Sequence, residues 1–209
     1  MIDTINLPLI LGAAFIATVS PGPATMAIAG TSLALGRKHG LAIASGVTTG
    51  SLTWSVGAAA GLSALMFANA WLFEAMRYAG AAYLMWLAFK SARAALALAT
   101  VKTPRVAAQS LRNAYTKGLA LHLTNPKAVL FFGALYSIGI PAGADPGALV
   151  VVICAVGLQS FLLFHGYALL FTVAPVVRGY ARLRRWFEVA FALAFGAASL
   201  KILTAKLAG

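Results

Sequence analysis

Acidic side chains are nearly missing from this chain of 209 residues: Asp3, Glu74, Asp145 and Glu188 make up the whole set, each near the end of an apolar run or in a connection. Cysteine occurs once, so no disulfide can form within the chain, and Cys154 reads as a small buried packing residue. The three histidines have no carboxylates at ligand spacing, which leaves no metal site. No glycine-rich phosphate loop follows a strand pattern. No catalytic constellation remains, so neither an enzyme nor a bound metal or cofactor is expected.

Charge of either sign is scarce as well. Charged residues make up 10% of the chain and hydrophobic ones 61%, whereas a typical soluble domain carries about 25% charged residues. Residues 41–69 and 146–177 contain no charged side chain at all. Each run exceeds the ~20 residues that cross a bilayer core. The chain therefore reads as an integral membrane protein with the lipid bilayer as its first partner. In a soluble protein the net charge of +12 would suggest nucleic acid. Here the basic residues cluster in short connections between apolar runs, the pattern of topology signals, so no nucleic-acid partner is expected. Asp3 stands where a cleaved signal would be basic, and no clear small-residue cleavage site precedes Pro21; the first segment is expected to be retained.

Hydropathy divides the chain into six helical spans, at about residues 6–35, 41–68, 71–92, 114–138, 148–173 and 186–203. Twelve lysines and arginines lie in the connections from span one to two, three to four and five to six, and three on the other side. That asymmetry places those three connections in the cytoplasm and both termini outside. Trp71, Trp86 and Trp186 sit near span ends, as interface anchors do. A linker of mixed polar composition at about 98–112 separates a first half, about 1–97, from a second, about 113–209, within one membrane domain. Three crossings per half force the second half to enter from the opposite side. The predicted fold is an all-α membrane protein of six transmembrane helices, built as two inverted three-helix repeats.

Within this apolar background, two interruptions stand about half a chain apart: Ser20-Pro21-Gly22-Pro23 in span one and Asn125-Pro126-Lys127 in span four. A proline inside a helix removes one backbone hydrogen bond, at about 3 kcal/mol. Pro21, Pro23 and Pro126 free the carbonyls of Ala17, Val19 and His122, which in lipid must meet protein or line a cavity. Matched breaks in two halves point to a transporter with its site at the breaks; simple packing kinks are the alternative.

Lys127 should lie near mid-membrane with no deep acid to neutralise it. Such a cation either snorkels and bonds freed carbonyls or meets a substrate carboxylate. His122 and Asn125, three residues apart, share a helix face, and Asn125 can cap a freed carbonyl or bond a ligand. Gln159 and His165 point about 120° apart, so one is expected to face a proton or polar pathway while the other bonds a neighbouring helix. Gly46, Gly50, Gly57 and Gly61 fall within an arc of about 60° on span two. That stripe suits close packing, against a helix of the same chain or of a second protomer.

These pieces occur together and in order in one family. Ser20-Pro21-Gly22-Pro23, then residues 36–41 (GRKHGL) leading to Gly46 and Gly50, Gly61-Leu62, residues 77–87 (RYAGAAYLMWL), and Lys117-Gly118-Leu119 followed by Asn125-Pro126-Lys127 resemble the LysE/RhtB family of bacterial inner-membrane exporters. The resemblance covers roughly the first two thirds of the chain and continues after Gly139 in spacing and hydropathy alone. It implies efflux of amino acids or related small zwitterions from the cytoplasm by alternating access, driven by an ion gradient, in which the proton is the expected coupling ion. Ser51 follows Gly50 where cationic substrates would call for a buried acid, so a neutral zwitterion is the better expectation. A channel or a structural membrane protein without coupled transport is the alternative, and a homo-oligomer fits either.

The orientation is testable directly. In a Cys154→Ala background, Gln109→Cys should react with a membrane-impermeant thiol reagent only after cells are permeabilised. Labelling in intact cells would reverse the assignment.

Overall fold

The structure, a computed structural model, describes residues 5–19, 22–68, 70–96, 107–140 and 144–204. Among them every regular element is an α-helix: α1 (Leu7–Val19), α2 (Pro23–Ala68), α3 (Ala70–Leu96), α4 (Leu111–Leu123), α5 (Pro126–Gly139), α6 (Pro146–Leu170) and α7 (Ala174–Thr204). The all-α expectation holds. Among the described residues, α6 is the one helix long and apolar enough to cross a membrane by itself, and α1 with α2 as far as Gly61 passes as a bent pair.

Local chemistry sets the helix ends. The Asn6 side chain accepts from the Leu9 amide at 3.1 Å, and Ser110 Oγ accepts from Asn113 N–H at 3.1 Å, so α1 and α4 both begin on capping residues. Pro146 and Pro175 stand in first turns, where a missing N–H costs little. Two boundaries differ from the sequence reading. The connection expected near residues 36–40 is a single residue: α2 turns at Gly36, with φ 77° and ψ −176°, and is helical again from Arg37. Only glycine adopts that conformation without strain. α7 begins about a dozen residues before the expected sixth span, because hydropathy marks the apolar window and not the helix that continues through Arg178, Arg182 and Arg185.

Packing puts α2 against α4, α5 and α6, α3 against α5 and α7, and α1 against α5, α6 and α7. Polarity is distributed the reverse of a soluble protein. Ser51, Ser55, Ser160 and Ser199 are buried, while Phe89, Leu158, Trp186 and Leu193 are exposed, the last two at 71%. Hydroxyls inside and large apolar groups outside suit a lipid solvent. Cys154 belongs to this outer surface and is exposed, which corrects the buried reading; it shares α6 with exposed Val150, Val151 and Leu158. Trp86 is exposed, with Lys90 Nζ 5.0 Å from its ring centre, an arrangement fitted to a membrane interface.

With no hydrophobic gain between helices in lipid, close approach carries the packing. A Cβ at Gly46 would collide with the Tyr115 carbonyl and sit 2.8 Å from the Leu119 nitrogen; one at Gly118 would collide with the Ile43 carbonyl. Each glycine thus admits the backbone of the other helix. Tyr115 also donates a hydrogen bond to Thr49 Oγ1 at 3.1 Å. At Gly50 a Cβ would lie 2.9 Å from the His122 Cβ. Gly57 and Gly61 meet nothing within 4 Å. The stripe therefore splits: its first two glycines seat α4, while the last two have open space beside them among the described residues. The arc was right for one straight face, but α4 ends at Leu123 and covers only part of it.

Opposite responses to one substitution follow. Gly46→Ala must push backbone apart and should lower thermal stability in detergent by about 1–3 kcal/mol. Gly57→Ala should be neutral or stabilising by up to about 1 kcal/mol through helix propensity. Equal losses at both positions would mean that the α2–α4 approach is not what the glycines serve.

Candidate functional site

Both interruptions open onto one cavity of about 60 Å³, space for a few waters. Gly22 and Pro23 border it from the first break and Asn125 from the second, with His122 one turn before Asn125. Thr18 and Thr25 flank the first break; Ser51 of α2 and Ser160 of α6 face it from the side. Phe131, Phe132 and Phe164 supply aromatic wall. Among the described residues no charged side chain lines it. Ser20 and Pro21 lie outside the described residues, as do the side chains of Pro126 and Lys127.

The backbone at each break is supported in a different way. Pro23 cannot bond the Val19 carbonyl, and the Tyr180 hydroxyl of α7 donates to it at 3.0 Å. Tyr180 is held in a chain of rings with Tyr167, Phe171 and Phe187. At the second break the His122 carbonyl accepts from the Asn125 amide at 3.3 Å, and the Thr124 amide bonds Ala120 at 2.9 Å. Each following half-helix starts on the residue before its proline: Met26 N–H bonds the Gly22 carbonyl and Ala128 N–H the Asn125 carbonyl, both at 2.9 Å. The first turns of α2 and α5 thus present N–H groups with no intrahelical acceptor and the positive ends of their dipoles.

His122 is the anomaly of the site. It is 7% exposed, and neither ring nitrogen has a hydrogen-bond partner among the described residues. Its ring meets Phe164 edge-on at 6.1 Å and its Cβ rests on Gly50. Buried polar atoms are normally satisfied, and one left open on a polar cavity marks a place for water or a ligand. Ser51 and Ser160 bond each other at 3.1 Å across the same space.

The two other polar residues singled out by sequence are elsewhere. Gln159 donates to the Leu11 carbonyl at 3.0 Å, tying α6 to α1. His165 lies 2.9 Å from the Phe161 carbonyl through Nδ1 and 3.0 Å from Ser45 Oγ through Nε2, and its ring packs on Phe161 at 4.1 Å. Neither lines the cavity; both join neighbouring residues or helices. Ser160, one residue from Gln159 and 100° round the helix, does line it. Thr25, Ser160 and the three phenylalanines do not stand out in the sequence, because rotational phase in an apolar helix leaves no mark in hydropathy. Short hydroxyl residues inside charge-free runs were the available signal.

Helices alone among the described residues, an apolar exterior, hydroxyls inside and a cavity where two helices break have the build of a multi-pass membrane protein. Residues 15–206 match the LysE type translocator family, and the chain belongs to it. It is 29% identical over 175 residues to the threonine efflux protein of Salmonella typhi, covering 83% of this chain and 85% of that one. To the leucine efflux protein of Klebsiella pneumoniae it is 34% identical over 167 residues, 77% of this chain and 78% of that one. An uncharacterized membrane protein of Pseudomonas aeruginosa is 31% identical over 202 residues, 91% and 86% of the two chains. No solved structure matches.

The open imidazole allows a direct check. His122→Phe should keep the protein inserted but slow transport about ten-fold, the equivalent of one lost hydrogen bond to ligand. Unchanged transport per inserted molecule would make His122 a spacer between α4 and Gly50.

Proposed function

We propose that this chain exports amino acids, or related small zwitterions, from the bacterial cytoplasm across the inner membrane by alternating access, with the cavity at the two breaks as its substrate site. The convergence of Gly22, Pro23, His122 and Asn125 on one polar space carries the reading. Relatives that export threonine and leucine support the substrate class.

The chemistry fits a zwitterion. Positive half-helix ends at Pro23 and Pro126 favour a carboxylate, as does the full charge of Lys127 at the start of α5. Hydroxyls of Ser51 and Ser160, the Asn125 side chain and helix-end carbonyls suit an ammonium group. With no acid among the described lining residues, a cationic side chain would find no counter-charge. Proton coupling is part of the proposal, as are both termini outside.

The inverted-repeat reading has support in the packing. If span one matches span four, then α2 beyond Gly36 matches α6 and α3 matches α7. Both of those pairs are in direct contact, as partners across a two-fold axis in the membrane plane would be. The Ser51–Ser160 bond joins the first pair beside the cavity.

Proteoliposomes loaded with unlabelled threonine should take up labelled threonine by saturable counterflow; dissipation without exchange would indicate a channel. Lys127→Met should raise the half-saturating concentration about ten- to a hundred-fold, as expected for a lost charge-assisted hydrogen bond of about 1.5–3 kcal/mol. Lys127→Arg should retain more function, because charge is kept while geometry changes. If Lys127→Met lowers only the amount in the membrane, Lys127 is structural.

A further inference from the structure

Phe131 borders two cavities at once. On one side is the small polar chamber at the breaks. On the other is a space of about 340 Å³ lined by α1, α3, α5 and α7 and open to the outer surface, with Ile10, Ile16, Leu84, Leu135 and Phe195 in its walls. Every described side chain around that second space is apolar. Phe131 itself is 6% exposed and is held edge-on to Phe132 at 5.8 Å, so its ring has a fixed place between the two.

We propose that Phe131 sets the side-chain size this chain accepts: its ring shuts an apolar annex off from the substrate site, so that short side chains such as that of threonine are exported and longer aliphatic or aromatic ones are excluded. This rests on the proposed function. A substrate whose ammonium and carboxylate are held by Thr18, Thr25, Ser51, Ser160, His122 and Asn125 has the phenylalanine wall as the bulkiest apolar face of the chamber against which to set its side chain; the other apolar lining is alanines, Pro23 and Val156. The chamber of about 60 Å³ offers little further length. Apolar pockets discriminate by steric exclusion and by buried methylenes, each worth about 10- to 200-fold. Removing the ring would join the chamber to an annex whose lining already suits leucine or phenylalanine. The competing occupant of the annex is a lipid acyl chain, since Pro8, Gly12 and Ala197 at its rim are exposed on the outer surface.

The test measures initial counterflow of labelled leucine and labelled threonine into threonine-loaded proteoliposomes. Wild type should favour threonine. Phe131→Ala should raise the leucine-to-threonine ratio about ten-fold or more, and Phe131→Leu should give a smaller rise if the alanine variant fails to insert. Adding Ala194→Phe, which fills the annex from its far wall, should return the ratio toward wild type. An inserted Phe131 variant that exchanges threonine at an unchanged ratio overturns the inference and leaves the annex as a lipid seat. So does a wild type that already exchanges leucine as readily as threonine. A wild type that exchanges no amino acid overturns the proposed function as well, a result distinct from either of the others.

Discussion

A backbone carbonyl or amide with no partner costs several kcal/mol in lipid, and this chain places prolines where such groups must be released. The rest of the structure answers that demand. Val19 receives the Tyr180 hydroxyl, which requires α7 to begin early and to lie across the first break. The His122 carbonyl is bonded locally by Asn125, which in turn starts α5. The residues at both helix starts, Pro23 and Asn125, and the imidazole of His122, whose ring nitrogens have no partner among the described residues, border one small cavity. A cavity is therefore the consequence of breaking two helices in an apolar solvent, and its polarity is the consequence of which groups the breaks expose.

The surrounding helices hold that cavity by approach rather than by apolar segregation. Lipid gives a leucine no reason to prefer a neighbouring helix, so fit and hydrogen bonds decide. Gly46 and Gly118 bring α2 and α4 into backbone contact, which sets His122 against Gly50 and fixes its ring beside Phe164. Ser55 bonds Tyr136 between α2 and α5, and Ser199 donates to the Ala81 carbonyl at 2.8 Å between α7 and α3. A transporter that alternates must exchange some of these contacts for others. The hydroxyl pair Ser51–Ser160 is suited to that, since either oxygen can donate and a substrate ammonium can replace the bond.

Much of this was legible in the sequence because its causes are local. Charge-free runs announce membrane helices, and a proline announces its own freed carbonyl, so Gly22, Pro23, His122 and Asn125 stand out as candidates in the sequence alone. Rotational phase is not local. Whether Gln159 or Ser160 faces inward depends on how α6 is turned against α1 and α2, which neither residue encodes alone. The glycine stripe shows the same limit: four glycines share a face, yet the partner helix covers only Gly46 and Gly50. Gly36 was visible as a glycine beside a basic pair, but its φ of 77° and the helix resuming at once after it were not. The early start of α7 escaped because Arg178, Arg182 and Arg185 look like a loop when only hydropathy is read.

In the proposed function, substrate sits in the space between the two breaks. Substrate protection measures it most directly. In a Cys154→Ala background, Ser160→Cys borders the cavity, whereas the neighbouring Gln159→Cys does not. The rate of alkylation by a small permeant thiol reagent, taken with and without a transported amino acid, should fall at Ser160→Cys and stay constant at Gln159→Cys. Equal protection at both positions, or none at Ser160→Cys in a variant that still exchanges the amino acid, would contradict it.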